Sequence, residues 1–161
     1  MQYRNMGNSG LKVSLAGLGC NNFGRRVDQR GTRMVVDAAL DAGITLFDTA
    51  DIYGASLSEK YLGRALGKRR RDVVVVSKFG LPMLRGLGAR DDINRGSRRY
   101  VVAACEASLK RLGSDYIDLY LLHTPDPETP IGETLDAMSR LVDQGKVRYI
   151  GCSNLAGWQI A

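Results

Sequence analysis

Four side chains that could carry out acid–base chemistry follow apolar segments of the sequence. Asp48 and Tyr53 close the stretch ITLFDTADIYG, Lys78 ends the run VVVVSK, and His123 follows IDLYLL. A free phenol has a pKa of about 10, too high for an efficient acid at neutral pH, but a lysine ammonium beside it favours the phenolate. Lys78 could therefore prepare Tyr53 to give a proton to a carbonyl oxygen. Asp48 would hold Lys78 and balance its charge, while His123 directs the substrate oxygen.

Each of these residues also has a purely structural interpretation. Asp48 could belong to a turn, Tyr53 could be a packed aromatic, Lys78 could end a strand in solvent, and His123 could lie at the edge of a core. Asp51, the second aspartate of the stretch, is interpreted as a turn residue that shapes the loop. If there is no site, all of the structural interpretations must hold at once. Because that would require a coincidence at one end of the sheet, the residues together favour the functional hypothesis.

The segments that must position these side chains alternate between strand and helix patterns. Residues 7–10, GNSG, have the composition of a tight hairpin turn. The predicted strands are 13–19, 44–47, 73–78, 117–122 and 147–152; the predicted helices are 32–42, 58–66, 97–112 and 131–144, with another opening at Leu155. Valine-rich strands separated by helices predict a parallel sheet covered by helices, built from five successive β/α units.

Two further groups of polar residues are predicted at the ends of these strands. Gly19, Cys20 and Asn21 follow the first strand, and Ser153 and Asn154 follow the fifth. In parallel α/β folds the loops after the strands converge on one face, where function collects. Ser153 and Asn154 could instead cap the helix that opens just after them.

Two α/β architectures compete at this point. A doubly wound sheet suits 161 residues, whereas a closed eight-stranded β/α barrel typically needs about 250. The segment GLGCNNFG, however, lacks the third glycine of a dinucleotide-binding fingerprint, and no acidic residue follows at the expected distance. The glycine- and charge-rich residues 80–96 are interpreted as an inserted loop.

Other reaction chemistries fit the sequence less well. One histidine and separated carboxylates supply too few ligands for a metal hydrolase, so no metal site is predicted. No serine lies on a G-x-S-x-G turn, which argues against a nucleophilic triad. The three cysteines, Cys20, Cys105 and Cys152, lack zinc-site spacing and are interpreted as reduced thiols.

Composition and charge limit which other classes of protein the sequence could belong to. Hydrophobic content of 44% with 25% charged residues is typical of one globular domain over residues 1–161, and no apolar run approaches the roughly 20 residues needed to cross a bilayer. The N-terminus mixes charge and glycine where an export signal would be apolar, so a cytoplasmic location and no membrane partner are expected. The net charge of +6 and the run GKRRRD raise a nucleic-acid hypothesis, but basic residues at a helix end complement its dipole, and no nucleic-acid partner is predicted.

The motifs taken together resemble one known family. The segments MQYRNMGNSGLKVSLAGLGCNNFG, GITLFDTADIYGASLSEKYLGRAL, VVVVSKFG, SLKRLGSDYIDLYLLHTPDP and LVDQGKVRYIGCSN are similar to those of the aldo-keto reductases over nearly the whole chain. The resemblance implies an eight-stranded β/α barrel, a TIM barrel, with an N-terminal hairpin closing its base. It also implies reduction of aldehydes and ketones with a nicotinamide cofactor, NADP(H) in most members and NAD as the alternative.

The resemblance also implies roles for individual residues. The catalytic Asp, Tyr, Lys and His of the family fall on Asp48, Tyr53, Lys78 and His123, and Tyr53 and His123 also contact the substrate. The cofactor-binding positions fall on Gly19, Cys20, Asn21, Asp48, Ser153 and Asn154, with Ser153 and Asn154 holding the carboxamide. An amide needs a fixed donor and acceptor, which a serine hydroxyl and an asparagine side chain supply.

The family barrel continues for three strands beyond the position that Ala161 reaches, so this chain supplies the hairpin and roughly five β/α units. We expect either that these residues are part of a longer protein or that the chain self-associates to close the barrel. The leading hypothesis is an NADPH-dependent carbonyl reductase acting on a small molecule. The alternatives are a cofactor-binding regulatory subunit resembling the potassium-channel β subunits, to which the loop 80–96 has some likeness, and an inactive fragment.

Overall fold

The chain begins with a hairpin that lies against the inner face of a sheet. The computed structural model describes residues 1–82 and 93–160. Strands β1 (Tyr3–Asn5) and β2 (Lys12–Ser14) pair antiparallel across the predicted turn. Leu11 and Val13 pack with Val74, Val76 and Leu119, so the hairpin covers one end of the sheet's inner face with apolar side chains.

The remaining strands form one parallel sheet in chain order. They are β3 (Gly17–Gly19), β4 (Leu46–Asp48), β5 (Val74–Phe79), β6 (Ile117–Leu122) and β7 (Val147–Cys152). Every neighbouring pair is parallel. Each connection is therefore a crossover, and the carboxyl ends of all five strands lie at one edge.

Helices cover the outer face of the sheet. They are α1 (Gln29–Asp41), α2 (Leu57–Leu66), α3 (Arg98–Leu112) and α4 (Ile131–Asp143), whereas the short α5 (Gly157–Ile160) follows β7 and is exposed. Successive helices from α1 to α4 pack side by side. A side chain at Gly63 of α2 would collide with the carbonyl oxygen of Leu112 at the end of α3, so glycine permits this close approach. The main core lies between these helices and the sheet.

Several predicted boundaries are wrong; the second predicted strand, for example, begins at Leu46 rather than Ile44. The apolar stretch 13–19 is not one strand, because a turn at Leu15 and Ala16 divides it between β2 and β3. Helix α1 begins at Gln29 rather than Thr32, since the Asp28 carboxylate accepts from the Gly31 backbone at 2.7 Å and caps it. The last helix begins at Gly157 rather than Leu155.

The proposed insertion at 80–96 falls mainly on residues 83–92, which lie outside the described residues.

The basic run after α2 is largely structural. It forms a 3-10 helix, Gly67–Asp72. Arg70 is buried, pairs with Asp118 at 2.7 Å and lies over the Tyr116 ring. Arg69 donates to the Asp37 carboxylate and to the Ala65 carbonyl, at 2.6 and 2.7 Å. Two of its four cations are thus paired with carboxylates, Arg69 with Asp37 of α1 and Arg70 with Asp118 of β6.

Candidate active site

Strand pairing brings the predicted polar residues to one edge of the sheet. Gly19 at the end of β3 lies opposite Asp48 at the end of β4. Lys78, near the end of β5, lies opposite Leu121 of β6, and Leu121 lies opposite Gly151 of β7. The register therefore gathers the side chains that follow the strands, as expected from the order of strands and helices in the sequence.

The Lys78 ammonium is the centre of this group. Its Nζ pairs with the Asp48 carboxylate, donates to the Thr49 carbonyl at 2.9 Å and lies 3.4 Å from the Tyr53 hydroxyl. An ammonium has three hydrogens to donate, and each has an acceptor here. Lys78 is consequently fixed in position, with its charge beside the phenol.

Tyr53 is held on the loop after β4 and faces His123. Its backbone N–H donates to the Ala50 carbonyl at 3.2 Å. The next residue, Gly54, has a φ of 58°, and a side chain there would collide with the Phe23 carbonyl oxygen. The Tyr53 and His123 rings meet edge to face, with centroids 5.8 Å apart. Two groups able to contact one substrate oxygen are thus adjacent.

His123 is arranged to be neutral. It follows β6, is buried, and its backbone N–H donates to the Phe79 carbonyl at 2.8 Å. Burial lowers the pKa of His123, the Lys78 ammonium lowers it further, and the Asp48 carboxylate opposes them. A neutral imidazole keeps one N–H donor and one acceptor nitrogen. His123 can therefore donate a hydrogen bond without carrying a charge.

The residues after β7 are tied to β6 rather than to the following helix. The Ser153 backbone N–H donates to the Leu122 carbonyl at 2.8 Å. The Asn154 side-chain amide donates to the His123 carbonyl at 2.7 Å and to the Ser153 hydroxyl at 3.2 Å. With its NH₂ group engaged, Asn154 retains its carbonyl oxygen as an acceptor and Ser153 retains its O–H as a donor. This pair fits a carboxamide.

The residues after β3 divide between surface and core. Gly19 and Asn21 are exposed, whereas Cys20 is completely buried, with its thiol directed to the Leu18 carbonyl at 3.5 Å. Burial, reinforced by the Asp48 carboxylate, raises the pKa of Cys20 to about 12. Gly19 and Asn21 are the residues here that an incoming molecule can reach, and the Cys20 thiol stays protonated within the core.

Comparison with known proteins identifies the chain. The sequence profile described as Aldo/keto reductase family matches residues 16–161. The chain belongs to the aldo/keto reductase family. It is 40% identical, over 99% of its own length and 51% of the other, to "Uncharacterized oxidoreductase YrpG" of Bacillus subtilis (strain 168). It is 39% identical, over 99% of itself and 48% of the relative, to "Probable voltage-gated potassium channel subunit beta" of Arabidopsis thaliana.

A solved aldo-keto reductase gives the architecture. The chain superposes on "aldo-keto reductase AKR11C1 from Bacillus halodurans (holo form)" with a TM-score of 0.86 and 36% identity, covering 99% of this chain and 52% of that one. The five-stranded sheet is thus part of a TIM-type barrel, which confirms the predicted aldo-keto reductase fold. The chain spans about half the length of the relatives it matches.

A group of buried acids beside the aldo-keto reductase site was not assigned from the sequence. Asp51 does lie in a turn, as expected, but it is completely buried, and neither carboxylate oxygen has a hydrogen-bond partner among the described residues. Glu59 of α2 is also completely buried; it accepts from the Ser77 hydroxyl and from Arg111 of α3, each at 2.5 Å. The spacing of Asp51 and Glu59, eight residues apart, carried no signal of this burial.

The described residues, 1–82 and 93–160, contain neither a metal cluster nor a membrane-spanning helix. Within these ranges no group of three or more His, Cys, Asp or Glu side chains is placed to hold a metal ion. Among the same residues, no helix is both long enough and apolar enough to cross a membrane.

Proposed function

We propose that the protein containing this chain reduces the carbonyl group of a small aldehyde or ketone to an alcohol, with NADPH as its cofactor. The observation that carries the proposal is the position of Lys78, whose ammonium contacts Asp48, Thr49 and the Tyr53 hydroxyl at once. This arrangement suits Tyr53 to proton donation, because the phenolate left behind lies beside a fixed positive charge.

The residues divide the work of the reaction. Tyr53 gives its hydroxyl proton to the carbonyl oxygen, and the neutral His123 donates a hydrogen bond to the same oxygen as negative charge develops there. Lys78 stabilises the Tyr53 phenolate until a proton returns from solvent, and Asp48 keeps Lys78 in place. In the reverse direction Tyr53 accepts the proton of an alcohol.

The residues at the strand ends fit a nicotinamide cofactor. Ser153 and Asn154 present the donor and acceptor that a carboxamide needs, and Gly19 and Asn21 are open to contact. Asp48, with its side chain 42% exposed, borders the same space. A reduced nicotinamide held there would supply the hydride to the carbonyl carbon. NAD remains the alternative cofactor, and the reduced thiols suit a cytoplasmic enzyme.

A second candidate function is a cofactor-binding regulatory subunit. It is favoured by the 39% identity to the probable potassium channel β subunits of Arabidopsis thaliana and Oryza sativa subsp. japonica. Such a protein would keep the site while acting chiefly through a partner protein.

Turnover separates the two functions. NADPH oxidation by the full-length protein would be measured with a panel of aldehydes and ketones. The reductase proposal expects turnover of at least one of them, with kcat falling by about 10²–10⁴ in Tyr53→Phe and remaining unchanged in Tyr61→Phe on the neighbouring helix α2. Cofactor binding without turnover of any carbonyl would contradict it and favour the regulatory subunit.

A further inference from the structure

The backbone of Asp51 joins the two residues on which the proposed reaction depends. Its N–H donates to the Lys78 carbonyl at 3.1 Å, and its own carbonyl accepts from the Ser56 hydroxyl at 2.8 Å. Ala50, directly before it, accepts from the Tyr53 N–H. Displacing Asp51 would therefore move Tyr53 relative to Lys78.

The Asp51 side chain is enclosed among polar groups rather than in a purely apolar core. It is completely buried and neither carboxylate oxygen has a partner within the described part of the chain, and the same holds for the buried hydroxyls of Tyr100 and Tyr120. Burial raises the pKa of both hydroxyls, and the Asp51 charge adds to the effect at each. Asp51, Tyr100 of α3 and Tyr120 of β6 form one cluster. The other titratable or charged groups that face it are Glu59 of α2, Lys78 of β5, Arg95, and Cys105 and Arg111 of α3.

Two neighbouring cations, Arg111 and Lys78, are already engaged. Arg111 is bound to Glu59 and to the Ser108 hydroxyl, and Lys78 has given all three of its hydrogens to other acceptors. A charged Asp51 would thus be a second buried carboxylate beside Glu59, with one arginine shared between them. Burial and the Glu59 charge together raise the pKa of Asp51 to about 7. An uncharged carboxyl avoids this conflict and has an O–H donor, which a carboxylate lacks.

We propose that Asp51 is a positioning residue for proton transfer: while uncharged, its carboxyl holds the turn between Asp48 and Tyr53 against the Lys78 backbone, and charging it releases that turn. The turn is released because the free energy of a buried carboxylate falls when the carboxylate moves toward water, and the Asp51 backbone must move with the side chain. The kinetic part of this inference rests on the proposed reductase function, whereas the placement of Tyr53 does not.

The placement of Tyr53 can be measured without turnover. The full-length protein would be labelled with tyrosine carrying ¹³C at the ring carbon that bears oxygen, and the Tyr53 resonance assigned from its loss in Tyr53→Phe. We expect the wild-type Tyr53 resonance to shift as pH rises through about 7, and the same resonance in Asp51→Asn to stay unshifted, since the amide keeps the shape but cannot ionise. Identical behaviour of wild type and Asp51→Asn across this range would overturn the proposal.

Kinetics provide the second measurement, on variants in which residue 51 is either polar and uncharged or apolar. From about pH 6 to about pH 8 we expect wild-type kcat to fall about tenfold more than kcat of Asp51→Asn, with little change in KM. Asp51→Leu, of similar size but apolar, should lose about tenfold in kcat even at the lower pH, and Asp41→Asn, at an exposed helix end, should match wild type. Wild-type kcat together with an unshifted Tyr53 resonance in Asp51→Leu would contradict the proposal. If no carbonyl is reduced but the resonance responds as expected, the reductase function fails and the placement role of Asp51 stands.

Discussion

Lys78 and Asp48 form an ion pair whose two members differ sharply in contact with water. The Lys78 side chain is 7% exposed, whereas that of Asp48 is 42% exposed. Removing either partner breaks the same pair, but the group left behind meets a different environment: an enclosed ammonium in one case, a partly hydrated carboxylate in the other.

This difference predicts unequal stability for two variants that both lose activity. Asp48→Asn should lower the free energy of unfolding by about 1–3 kcal/mol, because the Lys78 charge stays enclosed with a weaker partner. Lys78→Met should change it by about 1 kcal/mol or less, since water can solvate Asp48. Urea unfolding at neutral pH would measure both. Arg33→Met, in the exposed pair of Arg33 with Asp37, is the matched control and should cost less than about 0.5 kcal/mol. A larger loss for Lys78→Met than for Asp48→Asn would contradict the assignment.

The chain contains a single histidine, and its signals in the full-length protein can be assigned from their loss in His123→Gln. We expect the pKa of His123 to lie below 6.5, because burial and then Lys78 disfavour the imidazolium. Lys78→Met should raise this pKa by removing a positive neighbour, yet leave it below 6.5 since burial is the larger cause. Asp48→Asn should lower it further. The measurement is the pH dependence of the imidazole NMR signals, and a decrease in Lys78→Met would show that the charges act differently.

The buried carboxyl of Asp51 should make stability depend on pH. Its pKa is about 7 in the folded protein against 3.8 for the unperturbed group, so the folded state binds the extra proton between these values. Stability is therefore lost as pH rises through this window, by up to ~4 kcal/mol at about 1.4 kcal/mol for each pH unit. His123 has the opposite sign, because its lowered pKa loses stability as pH falls below about 6.5.

Asp51→Asn isolates the Asp51 contribution. The variant should be more stable than wild type above about pH 7, and this advantage should shrink as pH falls toward about 4. Chemical unfolding at several pH values would test this, with Asp41→Asn as the exposed control. An advantage for Asp51→Asn that is constant with pH would mean that Asp51 is already ionised at the lower pH.

Much of the fold could be predicted because its periodic signals are strong. The strands β6 and β7 begin and end where the apolar runs IDLYLL and VRYIGC do. Where composition misled, a local hydrogen bond decided the outcome. The glycine at position 31 obscured the start of α1, but its backbone N–H is the group that Asp28 caps.

The site was predictable only as far as strand ends reveal it. Asp48, Lys78 and His123 each end or follow a strand, and the register brings them together. The burial of Asp51 and Glu59 could not be anticipated in this way, because it depends on how α2 and α3 pack over β5. Gly63, Arg111 and Ser77 set that packing from distant positions in the chain.

Two neighbouring residues of strand β5 contact two different acids. Lys78 pairs with Asp48, and Ser77 donates to Glu59. Lys78 projects to the inner face with Val74 and Val76, and Ser77 to the helix side, where it binds Glu59. A single-residue insertion ahead of Ser77 would turn Ser77 to the inner face and Lys78 to the helix side, so that Asp48 would lose its ammonium partner. Point substitutions at Glu59 or Arg111, by contrast, alter the contact with Ser77 on the helix side of β5. The strand thus keeps the helix-side network of Glu59 and Arg111 on the opposite face of the sheet from the pair of Lys78 and Asp48.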